Sequence, residues 1–378
     1  MSQLTTLLEK YVAEGAFPGA VAVVDRAGDV ETVAVGSAGP ADPAPLRADA
    51  LFRLSSVTKP VTAAAVLALV DDGVLTLDAP VARWLPELAS PVVVRTPASG
   101  LDDLVPAARP VTVEDVLSSR SGWGFGADFA APAVQPLFAD VAVYNGGPRP
   151  TATPDEWAAG LAGIPLLRQP GEAFLYNASS DLQGVLVARA AGRSLPEFLA
   201  ERIFEPLGMA DTGFAVPAAD LHRLTPYYRG DADGTLTVAD APDGAWSTDP
   251  VFPSGAGGLV STAADWLAFG RMLLAGGGAV LSPESVRLMT TNHLTAAQRA
   301  EGTVFLQGEG WGYGGAVDVT TTEPWNVPGR YGWVGGTGTA AHIVPATNTV
   351  TVLLTARGLS GPAFPSWMRD FWTYAATA

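Results

Sequence analysis

The stretch Val61–Val70 is apolar on every side of a helical wheel and stops at Asp71-Asp72-Gly73. A helix without a polar face has nothing to offer solvent, so this segment must lie inside the fold with other elements wrapped around it. Gly73 is placed to cap its C-terminus. Directly ahead stands Ser56-Val57-Thr58-Lys59-Pro60. Pro60 cannot donate to a preceding carbonyl and is tolerated only near the first turn, which puts Ser56 at or just before the helix start. Free backbone N–H groups and the helix dipole favour negative charge at that place.

Lys59 is one of only two lysines, the other being Lys10; the remaining 20 of the 22 basic residues are arginine. Wherever a bare positive charge suffices, this chain uses Arg, which does not deprotonate in a protein. Lysine becomes a base once burial or a neighbouring cation lowers its pKa. The Ser-x-x-Lys spacing sets hydroxyl and amine on one helix face, within mutual reach. A solvated lysine near a helix start is the plainer alternative. The scarcity of lysine favours a nucleophile with its base.

Other chemistries find less support. The net charge is −16 without a basic block, so neither a nucleic acid nor an anionic membrane is an expected partner. With no cysteine, thiolate nucleophiles and disulfides are absent. His222, His293 and His342 form no recognisable nucleophile–base arrangement, and Gly358-Leu359-Ser360-Gly361-Pro362 fails a nucleophile elbow at its last position. Histidines and carboxylates show no metal-ligand spacing and there is no phosphate loop, so no cofactor is expected. Gly335-Gly336-Thr337-Gly338 lacks a second glycine framework and reads as backbone that a ligand approaches closely.

At 378 residues the chain exceeds what one core usually fills, so two lobes are expected, in series or one inserted in the other. Leu4, Leu7, Leu8, Tyr11 and Val12 give an amphipathic N-terminal helix without the apolar core of a signal peptide, so a cytoplasmic location is expected. Ala20–Asp25 and Val30–Val35 are β-branched runs around Gly28, a hairpin; residues 38–50 read as a surface loop. Thr153–Glu156 and Ser194–Glu197 are capping boxes, and Ser282-Pro283 starts another helix. Segments 89–110, 126–152 and 228–256 lack periodicity and are expected as long functional loops. Thr339–Val344 and Thr349–Thr355 predict a second hairpin, and Pro365–Ala376 an amphipathic helix. Strands at both ends around a helical middle imply one sheet assembled from the chain termini.

Several stretches together resemble the serine β-lactamase-like superfamily, in its class C β-lactamase and family VIII carboxylesterase branch. Leu54–Pro60 resembles the nucleophile motif, and Asp72–Asp78 with Trp84-Leu85-Pro86 resembles the segment after it. Phe204-Glu205-Pro206-Leu207-Gly208-Met209-Ala210-Asp211-Thr212 is the most distinctive match, and Gly257–Thr262 is also similar. The resemblance implies an α/β (α+β) fold: an antiparallel sheet domain from residues 1–75 and 300–378 flanked by helices, an inserted mainly helical domain over 76–299, and an active site between them.

The resemblance also implies site residues. Tyr176, separated from Pro170-Gly171 by four residues, takes the place of the family's catalytic tyrosine. The lactamase branch carries Tyr-x-Asn, whereas here Ala178 stands third and Asn177 comes one place early as a candidate substrate contact. Ser179–Gly184 instead resembles the esterases, with Asp181 and Gly184 at their spacing. Tyr144-Asn145-Gly146 is a rival pair without the Pro-Gly lead-in. Trp333 replaces the lysine of the lactamase Lys-Thr-Gly motif, as in the esterases. Backbone N–H groups of Ser56 and Gly336 are implied for the oxyanion, and Trp333, Gly335, Trp123 and Phe125 are candidate pocket residues.

These features lead to the expectation of a serine hydrolase cleaving small or short-acyl carboxylic esters through an acyl-enzyme on Ser56, with Lys59 and Tyr176 as the proton-handling pair. The loss of lysine at position 333 removes a cation for a β-lactam carboxylate and favours neutral esters. A β-lactamase or D-amino-acid peptidase or amidase is the enzymatic alternative. A non-catalytic penicillin-binding-type module is the other, and it has no use for a base.

Overall fold

The computed structural model describes residues 2–39, 42–139, 141, 149–230 and 235–377. Eight antiparallel strands form its main sheet, and the two ends of the chain supply all of them. β1 (Gly19–Arg26), β2 (Asp29–Gly39) and β3 (Asp42–Pro45) come from the N-terminal end. β4 (Gly310–Trp311), β5 (Ala316–Val317), β6 (Tyr331–Gly335), β7 (Thr339–Val344) and β8 (Thr349–Thr355) come from the C-terminal end. Their spatial order is β4-β5-β6-β7-β8-β1-β2-β3. The join between the two ends is the β1–β8 ladder, in which Val23 faces Val352 and Ala20 faces Thr355.

Both expected hairpins are present, but the expected surface loop over 38–50 is not loop throughout. Asp42–Pro45 pairs with the end of β2 across a register shift. Proline and small polar residues disguised it, since an edge strand tolerates residues that a central strand does not.

The sheet buries both faces, and the period-two alternation of β1 shows how. Ala20, Ala22 and Val24 pack under the terminal helices α1 (Gln3–Ala13) and α5 (Ser366–Thr377), with Leu4, Leu8, Trp367, Phe371 and Trp372. The Tyr11 hydroxyl donates to Asp370 Oδ2 at 2.6 Å and ties these two helices together. Val21 and Val23 face the opposite core, where α4 (Ala263–Leu274) contributes Trp266 and Phe269. On that same side lies α2 (Lys59–Asp71), every residue of which from Lys59 to Leu69 is buried. Burying side chains such as Leu67 and Val66 contributes about 1.5–3 kcal/mol each. Gly73, just past its end, has φ +72°, the left-handed geometry that stops a helix.

α3 (Ala178–Ala191) packs against α2 and completes the central helical layer. Both expected capping boxes form, as do unforeseen ones at Thr112–Asp115 and Thr295–Gln298. The long aperiodic segments contain two small hairpins, Val92–Val94 with Leu104–Pro106 and Tyr227–Gly230 with Leu236–Asp240, and a short helix at Gln135–Ala139. The rival pair Tyr144-Asn145 lies outside the described residues. Among the described residues no helix is long and apolar enough to cross a membrane.

Candidate active site

Ser56 sits in a single 3-10 turn, Ser55–Thr58, that runs directly into α2. Two neighbours hold this turn. On one side Phe52 and Arg53 pair with Ser261 and Val260, while Leu54 N–H donates to Leu259 O at 2.8 Å. On the other, β6 passes so close that a Cβ on Gly335 would lie 2.3 Å from Leu54 O. Only glycine permits that approach. Ser55 has φ +49°, an uncommon conformation for a side-chain-bearing residue, which the packing on both sides enforces.

The turn brings the Ser-x-x-Lys pair into contact. Lys59 Nζ donates to Ser56 Oγ at 2.8 Å and to Ala256 O at 2.7 Å, in a fully buried position. From the other side the Tyr176 hydroxyl donates to Ser56 Oγ at 2.9 Å. Trp333 Nε1 in turn donates to the Tyr176 hydroxyl at 2.7 Å. Tyr176 is fixed by a two-way backbone bridge with Phe125. That bridge needs Gly124 at φ +139°, where a Cβ would meet Tyr176 O at 2.6 Å. Asn177 then turns the chain into α3 with φ +81°.

Burial sets the electrostatics. Desolvation pulls the Lys59 amine down to about 7, opposed by the negative charge of Asp181. Desolvation pushes the Tyr176 hydroxyl up to about 12, although its bonds with Ser56 and Trp333 work the other way. Asp181, also buried, is raised by desolvation despite accepting from Ser254 Oγ at 2.6 Å and from Ala256 N–H at 3.1 Å. Asp181 thus shapes the 254–256 backbone whose carbonyl receives Lys59.

The serine opens into a cavity of about 740 Å³. One wall is aromatic: Phe125, Phe129, Phe138, Tyr176 and Phe305, with Tyr176 and Phe305 stacked at 4.4 Å. The candidates Asn177, Trp333 and Gly336 also line it. Gly336 stands beside the nucleophile turn, its Cβ position 3.5 Å from Ser55 Oγ. Two candidates do not reach the cavity. Trp123 is buried in the core, where its indole donates to Ile164 O at 2.8 Å, because the Gly122 and Gly124 turns direct it inward. Gly335 is covered by Leu54 and Thr339 and is a packing residue.

A sequence profile described as Beta-lactamase matches residues 4–369. The chain belongs to the β-lactamase family. Esterase EstB of Burkholderia gladioli is 32% identical over 385 residues, covering 96% of this chain and 92% of that protein. An uncharacterised Mycobacterium tuberculosis protein is 38% identical over 322 residues, 82% of this chain and 78% of the relative. Among solved structures, EstCE1, a hydrolase with promiscuous acyltransferase activity, superposes with a TM-score of 0.81 at 25% identity, covering 98% of this chain and 97% of its own. The chain therefore has the serine β-lactamase-like fold and stands with esterase relatives inside that superfamily.

Within this β-lactamase-family site the histidines take no part. His293 stacks on Tyr313 and bonds to Leu288 O, His342 is buried against Trp372, and exposed His222 bonds to Ala219 O. Among the described residues no His, Cys, Asp or Glu cluster could hold a metal ion. Sequence reasoning missed the contributions of Ala256 O, Phe129, Phe138, Phe305, Tyr227, Arg229 and Arg357. Ala256 adjoins the quoted Gly257-Gly258 stretch, the one nearby signal; the others carry no motif.

Proposed function

We propose that this protein is a serine ester hydrolase acting on small or short-acyl carboxylic esters. The observation that carries the reading is a single serine oxygen, Ser56 Oγ, held between Lys59 Nζ and Tyr176 OH at a cavity wall, without a histidine. A lysine near 7 is substantially neutral at physiological pH, whereas a tyrosine near 12 keeps its proton. Lys59 is therefore the base that takes the Ser56 proton, and Tyr176 is the donor that returns a proton to the leaving alkoxide. Ser56 Oγ bonds to the ester carbonyl carbon, the alkoxide departs with a proton, and water then cleaves the acyl-enzyme by the reverse exchange. Backbone N–H groups of Ser56 and Gly336 stabilise the oxyanion, an effect usually worth about 3–4 kcal/mol.

The esterase relatives support this reading, as does Trp333 in place of a lysine. Incubation with a fluorophosphonate tests it, followed by peptide mapping and assay with p-nitrophenyl acetate and butyrate. Labelling at Ser56 with loss of activity is expected; an adduct on Ser121 or cavity-lining Ser360 overturns the assignment.

A further inference from the structure

Beyond its aromatic wall the cavity is lined by apolar and polar residues, and the charged ones among them are of one sign. Arg229 and Arg357 line it with Tyr227, Thr337 and Ser360, and no carboxylate lines the cavity among the described residues. This is notable in a chain with 38 acidic and 22 basic side chains. Arg357 follows β8, in a segment fixed at both sides of the site. Gly358 N–H donates to Tyr228 O, and Leu359 N–H donates to Gly336 O, both at 2.8 Å.

The guanidinium of Arg357 is anchored by one edge alone. Its Nη1 donates to Ala16 O at 2.7 Å, and it forms no ion pair with a described carboxylate. Its Nη2 lies over Gly230, where a Cβ would stand 2.9 Å from that nitrogen. Gly230 thus packs against this side of the guanidinium without a side chain between them, and neither Nε nor Nη2 donates to a described residue. A guanidinium edge of this kind pairs with a carboxylate through parallel N–H···O bonds.

We propose that Arg357 is a specificity-determining residue and that the preferred esters carry a carboxylate, which it binds while the apolar part of the substrate lies on the Phe125–Phe305 wall. This rests on the ester-hydrolase reading and replaces the expectation of neutral esters. Arg357 follows β8 and does not stand at position 333 on β6, so the carboxylate it binds is held at a different place from the one a lactamase lysine serves. The carboxylate belongs either to the acyl group or to the alcohol, and the two sources are separable by assay.

Mono-p-nitrophenyl adipate compared with p-nitrophenyl hexanoate tests the acyl side, with spontaneous hydrolysis subtracted. The pair 3-butyryloxybenzoate and 3-butyryloxybenzamide tests the alcohol side. In one of the two pairs the anionic member should have a kcat/KM about ten- to a hundredfold above its neutral counterpart. In Arg357→Gln that ratio should fall to about one, and Arg357→Lys should restore part of it. Anionic esters no better than neutral ones in both pairs, on the wild-type enzyme, overturn the proposal whether or not the variants fold. So does a ratio unchanged in folded Arg357→Gln. Failure to hydrolyse any of the four esters, without fluorophosphonate labelling of Ser56, overturns the ester-hydrolase reading itself.

Discussion

The indole N–H of Trp333 donates to the hydroxyl of Tyr176 at 2.7 Å, so the residue that replaces the lactamase lysine is coupled to the proton-handling pair. That bond lowers the tyrosine's pKa against the stronger push of burial. Trp333→Phe keeps most of the volume and removes the donor. A hydrogen bond of this type is worth about 0.5–1.5 kcal/mol, so kcat should fall roughly threefold to tenfold. KM should change less, because the lost contact is with Tyr176. A change confined to KM would make Trp333 a binding surface only.

Ser56→Ala should lower ester hydrolysis by about a thousandfold or more and abolish fluorophosphonate labelling. The circular dichroism spectrum should stay unchanged, because the Ser55–Thr58 turn is held by backbone contacts on both sides.

Lys59→Arg should be nearly as inactive as Lys59→Ala. The guanidinium keeps the charge but cannot accept a proton, and the fully buried position has no room for a larger head group. Retention of most activity in the Arg variant would move the proton-transfer role away from Lys59.

The pH profile should follow the lysine. The neutral amine is the active form, so kcat/KM should rise about tenfold per pH unit in acid and level off above about 7. Asp181 raises the Lys59 pKa through its negative charge, so Asp181→Asn should move the acid limb to lower pH. A purely structural role for Asp181 would change the height of the profile and leave its midpoint in place.

Hydrolysis of p-nitrophenyl butyrate should exceed that of nitrocefin in kcat/KM, by about ten- to a hundredfold. Trp333 stands where a lysine would bind the lactam carboxylate on β6, and Arg357 lies past the end of β8 and does not take that position. A charge-assisted bond is worth about 1.5–3 kcal/mol. Slow nitrocefin turnover is compatible with the shared acylation chemistry. Faster nitrocefin than butyrate turnover on the same preparation would promote the lactamase alternative.

What the sequence determined by itself was local. The all-round apolar run of α2, the Ser-x-x-Lys spacing at its start, the capping boxes and the two hairpins all depend on residues within a few positions of one another, where periodicity and backbone chemistry act directly. Tyr176 was singled out only by the resemblance of the Pro170–Ala178 stretch to a family motif. Tertiary structure decided the rest. Strand Asp42–Pro45 exists because β2 offers an edge for it. Trp123 faces the core, and not the cavity, because two glycine turns direct it there. Ala256 O receives Lys59 across 197 residues of sequence, and Arg357 reaches the cavity only because the segment after β8 is held by Tyr228 and Gly336. Such pairings between distant segments leave no local pattern, since burial and close approach arise only when the two ends of the chain have met in one sheet.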